Sequence, residues 1–132
     1  MPYEEVRHTA DLCIRVWSSD LPGLFSDAAL GMYALTGIIT ETSPVITRRF
    51  VCQSRDSESL LVQFLAELLY IAENERIAFK ELEIDIDNNG IHAVMNGTPI
   101  KAMAKTIKAV TYHNLKIKKT EHGVETELVF DV

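Results

Sequence analysis

Asp56-Ser57-Glu58-Ser59-Leu60-Leu61-Val62-Gln63-Phe64-Leu65-Ala66-Glu67-Leu68-Leu69-Tyr70-Ile71-Ala72 is the stretch that decides the fold. Asp56, Ser57 and Ser59 are helix-capping residue types, and Glu58 places an acid where a helix N-terminus favours one. Leu60, Leu61, Phe64, Leu65, Leu68, Leu69 and Ala72 then recur at helical spacing and form a broad apolar face, with Gln63, Glu67 and Glu73 off it. Such a stripe is core, because a cofactor cleft would need polar groups converging on it.

An earlier helix reads the same way. Ser19-Asp20-Leu21-Pro22 supplies a polar cap and a proline suited to a first turn. Leu21, Leu24, Phe25, Ala28, Ala29, Met32 and Leu35 give its stripe, and Gly37 is the expected stop. Residues 11–17 alternate Leu12, Ile14 and Val16 against Cys13, Arg15 and Trp17, and residues 48–54 place Phe50 and Cys52 on one side; both read as strands. Downstream, residues 81–86 alternate, Asn88-Asn89-Gly90 signals a hairpin turn, and residues 91–95 return. Residues 96–103 are irregular and read as a loop. Residues 106–113, 115–119 and 124–132 read as strands, with a turn at Glu121-His122-Gly123. The expected architecture is α+β: β-α-β-α followed by an antiparallel β-meander, with two helices packed on one face of the sheet. At 132 residues the chain has the length of a single domain, 1–132.

Composition narrows the function. Apolar residues make up 47% and charged residues 24%, enough apolar surface to offset chain entropy, so disorder is disfavoured. The net charge of −6 argues against a generic nucleic-acid coat, which needs positive charge to displace counterions. No apolar run approaches the roughly 18 residues of a membrane span. The acidic start, Met1-Pro2-Tyr3-Glu4-Glu5, lacks the basic and apolar regions of a secretion signal, so a cytoplasmic location is expected. Cys13 and Cys52 are then expected to be reduced core thiols. Phosphate-cradling loops, nucleophile elbows and HExxH helices are absent.

Charge is unevenly spread. Residues 101–119 hold six lysines (Lys101, Lys105, Lys108, Lys116, Lys118 and Lys119) and no acid. Solvated loop and strand faces account for such a run; its functional reading is a docking surface for a polyanion or an acidic partner. Asp11 opens one apolar strand, and Asp131 stands at the far end of another beside Val132. Brought together, these oxygens would suit a hard cation, although spacing alone does not join them. His8 and His113 offer nitrogen to a transition metal, while an isolated histidine is more often a hydrogen-bonding surface residue. His92 and His122 lie in or beside turns and have no assigned role.

Several pieces, in order along nearly the whole chain, resemble the archease family, the small cofactor proteins of RtcB-type RNA ligases. They are Glu5-x-x-His8-Thr9-Ala10-Asp11, Leu24-Phe25-x-x-Ala28-Ala29-x-Gly31-Met32, Leu60-Leu61-x-x-Phe64-Leu65-x-Glu67-Leu68-Leu69-Tyr70, Ile107-Lys108-Ala109-Val110-Thr111-Tyr112-His113 and Val129-Phe130-Asp131-Val132. The helical pieces are weakly specific; the other three carry polar residues that core packing does not demand. The resemblance implies an α+β fold and a bound divalent cation, calcium first, with magnesium or manganese as alternatives. It implies Asp11, Asp131 and main-chain oxygens of Val132 as ligands, with His8, Lys108 and His113 involved nearby. It also implies a non-catalytic activator that promotes guanylylation of the ligase by GTP and keeps it turning over in tRNA splicing. RNA contact is then indirect or through the lysine segment, no membrane is involved, and a monomer is expected. One departure is that residues 97–105 are short and basic where family members commonly carry a longer stretch with an acid and a histidine. That difference points this loop toward RNA or an acidic ligase surface. Two other readings compete: a stand-alone metal enzyme using His8, Asp11 and His113, and a metal-independent chaperone-like module.

Overall fold

A computed structural model describes residues 2–7, 12–112 and 114–132, and for Val6 and Arg7 the backbone alone. The elements run β1 (Tyr3–Arg7), β2 (Leu12–Ser18), α1 (Leu21–Thr36), β3 (Ile39–Thr40), β4 (Ile46–Gln53), α2 (Ser57–Glu75), β5 (Ile77–Asp87), β6 (Gly90–Ala102), β7 (Ala109–Val110), β8 (Lys118–Thr120) and β9 (Gly123–Asp131). The expected α+β class is what the chain adopts.

Both helices start where the sequence caps them. The Asp20 carboxylate accepts the Gly23 N–H at 2.8 Å, and the Asp56 carboxylate accepts the Ser59 N–H at 2.7 Å. Gly37 ends α1 in the left-handed region at φ 64°, which costs glycine no Cβ clash. The α2 stripe is core: Leu60, Leu61, Phe64, Leu65 and Leu68 are fully buried, and Phe64 lies 6.0 Å from the rings of both Phe25 and Phe50.

The strands form two antiparallel sheets where the sequence suggested one. In the first, β1-β2-β9-β7 are neighbours and β8 also pairs with β9; in the second, β3, β4 and β5 pair with β6. Helix α1 packs against β2 of the first sheet and β5 of the second, so the core is shared. Alternation alone cannot distinguish one sheet from two, because each strand buries one face either way.

Three boundaries are corrected. Residues 96–102, read as loop, continue β6. They are held by β5 on one side, with Ile77 opposite Pro99, and by β3, with Ile39 opposite Ala102. Gly97 permits this: a Cβ there would collide with the Ala78 carbonyl and the Phe79 ring at the β5 irregularity. Conversely, the two strands read over 106–113 and 115–119 shrink: among the described residues of these stretches, only Ala109 and Val110 of the first and Lys118 and Lys119 of the second are strand. The third correction is at the start, where residues 3–7 add a strand, β1, that pairs with β2. The hairpin at Asn88-Asn89 is as read, with φ 48° and 58° joining β5 to β6. Both cysteines are free thiols. Among the described residues, no helix is long and apolar enough to cross a membrane.

Candidate functional site

Strand β9 runs through the first sheet with β2 on one side and β7 on the other. Its alternation turns Leu128 and Phe130 into the core, both fully buried, and leaves Asp131 exposed at the strand end. On the β7 side, Ala109 is opposite Asp131 and Val110 opposite Phe130. The Lys108 N–H donates to the Asp131 carbonyl at 2.8 Å, and the Thr111 N–H to the Val129 carbonyl at 3.0 Å. On the β2 side, Leu12 is opposite both Phe130 and Arg7.

The fold therefore gathers Asp131, Val132 and Lys108 at one strand end, all exposed, although 23 positions separate Lys108 from Asp131. His8, Asp11 and His113 lie outside the described residues. The described neighbours of the 8–11 stretch, Arg7 and Leu12, are paired with each other beside the last turn of the β9 ladder.

Thr111 is a residue the sequence reading passed over. Among the described residues, its hydroxyl is the buried side-chain oxygen that lacks a hydrogen-bond partner. A buried hydroxyl without a partner is costly, so one on the segment pairing with the β9 end marks a place for a polar group. The available signal was its position in Val110-Thr111-Tyr112, polar within an apolar run.

The donor set suits a hard cation in type: the Asp131 carboxylate and the Val132 main-chain oxygen are exposed oxygens, with the Thr111 hydroxyl on the adjoining segment. Among the described residues, no group of three His, Cys, Asp or Glu is arranged to hold a metal.

The rest of the lysine segment divides. Lys118 sits opposite Glu125 of β9, and the Lys116 carbonyl accepts the Thr126 hydroxyl at 2.8 Å. Across the same sheet Arg15 pairs with Glu4 at 2.7 Å and lies over the Trp17 ring. Opposite charges are thus interleaved on this face. On the same face, the Cys13 thiol is pushed up to about 12 by burial and by Glu127, whose carboxylate it meets at 3.5 Å.

These features define a small α+β protein with two antiparallel sheets, two helices in a shared core, and a polar site where its last strand ends. The sequence profile of the Archease protein family (MTH1598/TM1083) matches residues 3–132, and the chain belongs to that family. Protein archease of Methanosarcina acetivorans is 37% identical over 142 residues, covering 98% of this chain and 95% of the relative. Protein archease of Archaeoglobus fulgidus is 33% identical over the whole of both chains, 100% each. Among solved structures, Methanobacterium thermoautotrophicum protein 1598 aligns over 99% of both chains with a TM-score of 0.75 at 25% identity. A Thermotoga maritima protein described as an archease and possible chaperone aligns over 98% of this chain and 96% of its own, with a TM-score of 0.73 at 20% identity, and shares the fold.

Proposed function

We propose that this chain is a non-catalytic activator of an RtcB-type RNA ligase, promoting its guanylylation by GTP and its repeated turnover in tRNA splicing. One observation carries the reading. The two family motifs described at this site, 107–112 and 129–132, meet at a single exposed strand end, through Lys108 to Asp131 and Ala109 opposite Asp131. Neither core packing nor helix capping asks for an exposed carboxylate and an exposed lysine there.

Asp131 and Val132, with Asp11 as the third ligand that the family resemblance implies, would hold a divalent cation, calcium first. When bound, that ion supplies positive charge suited to the phosphates of GTP. This chain's own part is positional. The β9 ladder holds the backbone from which the exposed Asp131 carboxylate projects, and Lys108 is tied to the same strand end through its N–H. A rigid strand end holds such groups more closely than a loop would.

The test is a ligation assay with the RtcB-type ligase of the same source, GTP, a divalent metal and split RNA, with ligase well below RNA. Product beyond one turnover per ligase only in the presence of this chain is the expected result. Full stimulation by folded Asp11→Ala and Asp131→Ala proteins would overturn the role given to the carboxylates. An active ligase that ignores the wild-type chain would overturn the partner.

A further inference from the structure

The Thr111 hydroxyl stands apart from the other buried hydroxyls of the fold. The Thr36 hydroxyl donates to the Tyr33 carbonyl at 2.6 Å, and the Thr126 hydroxyl to the Lys116 carbonyl at 2.8 Å. The Tyr33 hydroxyl accepts the Phe79 N–H at 3.1 Å. Among the described residues, none gives the Thr111 hydroxyl a partner, although its oxygen is out of solvent. A hydroxyl rotates and can both donate and accept, so it takes up any polar group within reach. Burying one unpaired is costly, and valine, β-branched like threonine, would fill the same space without that oxygen.

Strand β9 sets its place. The Thr111 N–H donates to the Val129 carbonyl at 3.0 Å, one step beyond the pairing of Val110 with Phe130. Val110 and Phe130 are buried, while Ala109 and Asp131 are exposed. Alternation therefore puts Thr111 on the face of Ala109 and Asp131, level with Val129. At the other end of the segment the Lys108 N–H is held by the Asp131 carbonyl at 2.8 Å, so the stretch between them is fixed at both ends.

Distance decides how such a hydroxyl serves an ion at Asp131. Diagonal neighbours on one face of an antiparallel pair lie about 7–8 Å apart. Two oxygens on one calcium ion, each at about 2.3–2.6 Å, lie no more than about 5 Å from each other. A hydrogen-bonded water between hydroxyl and ion adds about 2.8 Å of reach. The spacing of Thr111 and Asp131 fits the longer arrangement.

We propose that Thr111 is a positioning residue of the cation site, its hydroxyl holding a water of the ion's coordination shell, so that its unmet hydrogen bond is completed when the divalent cation binds. The inference rests on the reading above that Asp131 and Val132 hold such an ion; the family resemblance gives Thr111 no role. The free protein carries the unpaired hydroxyl and binding relieves it, which favours the loaded form. Partners of this outer kind orient what the ion binds and tune its affinity.

Two substitutions and the metal alone test it. Thr111→Val removes the hydroxyl and keeps the shape, and Thr111→Ser keeps the hydroxyl. In chelator, Thr111→Val is expected to melt about 4 °C or more above wild type, because the unpaired oxygen is gone. In a calorimetric calcium titration its dissociation constant is expected to rise at least about tenfold, while Thr111→Ser stays within about threefold of wild type. A general loosening of the fold does not produce those opposite signs. Terbium in place of calcium counts the waters on the ion through its luminescence decay in light and heavy water. The same count is expected in wild type and Thr111→Val; one more water in the variant would overturn the water-mediated arrangement in favour of direct ligation. A lower melting temperature for Thr111→Val in chelator, or a calcium affinity equal to wild type, would overturn the role of Thr111 and leave the cation site standing. No calcium binding by wild type would remove the ion, and this inference with it.

Discussion

Replacing Asp131 by alanine separates folding from function at the strand end. Asp131 is exposed, and its main-chain carbonyl, not its carboxylate, accepts the Lys108 N–H. Truncating the side chain leaves that hydrogen bond and the Ala109 pairing in place. A surface change of this kind shifts stability by no more than about 0.5 kcal/mol. For a chain of this length the unfolding entropy is about 0.28 kcal/mol per kelvin, so the melting temperature without metal should move by about 2 °C or less. Calcium should distinguish the two proteins. At a calcium concentration about 100 times the dissociation constant, wild type gains about 2.7 kcal/mol, or about 10 °C. Losing a carboxylate ligand should weaken binding at least as much as losing an outer-shell partner, about 10–100-fold. At 100-fold the gain falls to about 0.4 kcal/mol, between 1 and 2 °C by the same relation. Thermal melts with chelator and with calcium, run beside the ligation assay, give all four numbers. An equal calcium shift in both proteins, or none in wild type at millimolar calcium, refutes the assignment of Asp131 as a ligand.

Three further outcomes follow from the fold. Phe64→Ala removes a fully buried ring set between Phe25 and Phe50 and should cost about 3–5 kcal/mol, read as a fall in the urea midpoint; a loss below about 1 kcal/mol would mean the ring is not packed as described. Hydrogen bonding from Ser59 holds the Asp56 carboxyl below its ordinary 3.8, so its cap stabilises fully above that value and is lost as pH falls through the lower folded one. Asn caps as well and does not titrate, so Asp56→Asn should match wild type near neutrality and overtake it in acid; parallel urea midpoints down to pH 2 would contradict this. Burial pushes the Cys13 thiol up to about 12 while Cys52 is half-buried, so a thiol reagent at pH 8 should label one cysteine natively and both in denaturant, with Cys52→Ser abolishing the native signal.

The sequence was most legible where chemistry is local. Asp20, Asp56, Gly37 and Asn88-Asn89 each fix a cap or turn through their own backbone needs, and all do so in the fold. It was least legible where pairing partners outvote local preference. Asn96-Gly97-Thr98-Pro99 looks like a loop, yet it is strand because β4 and β5 flank its first part and the Pro99 carbonyl accepts the Glu41 N–H. Residues 106–113 alternate well, but among the described ones only Ala109 and Val110 pair as a strand; Ile107 is drawn instead into the core. At the site, the motifs were visible as polar residues out of place, but the contact between Lys108 and Asp131 comes from long-range register.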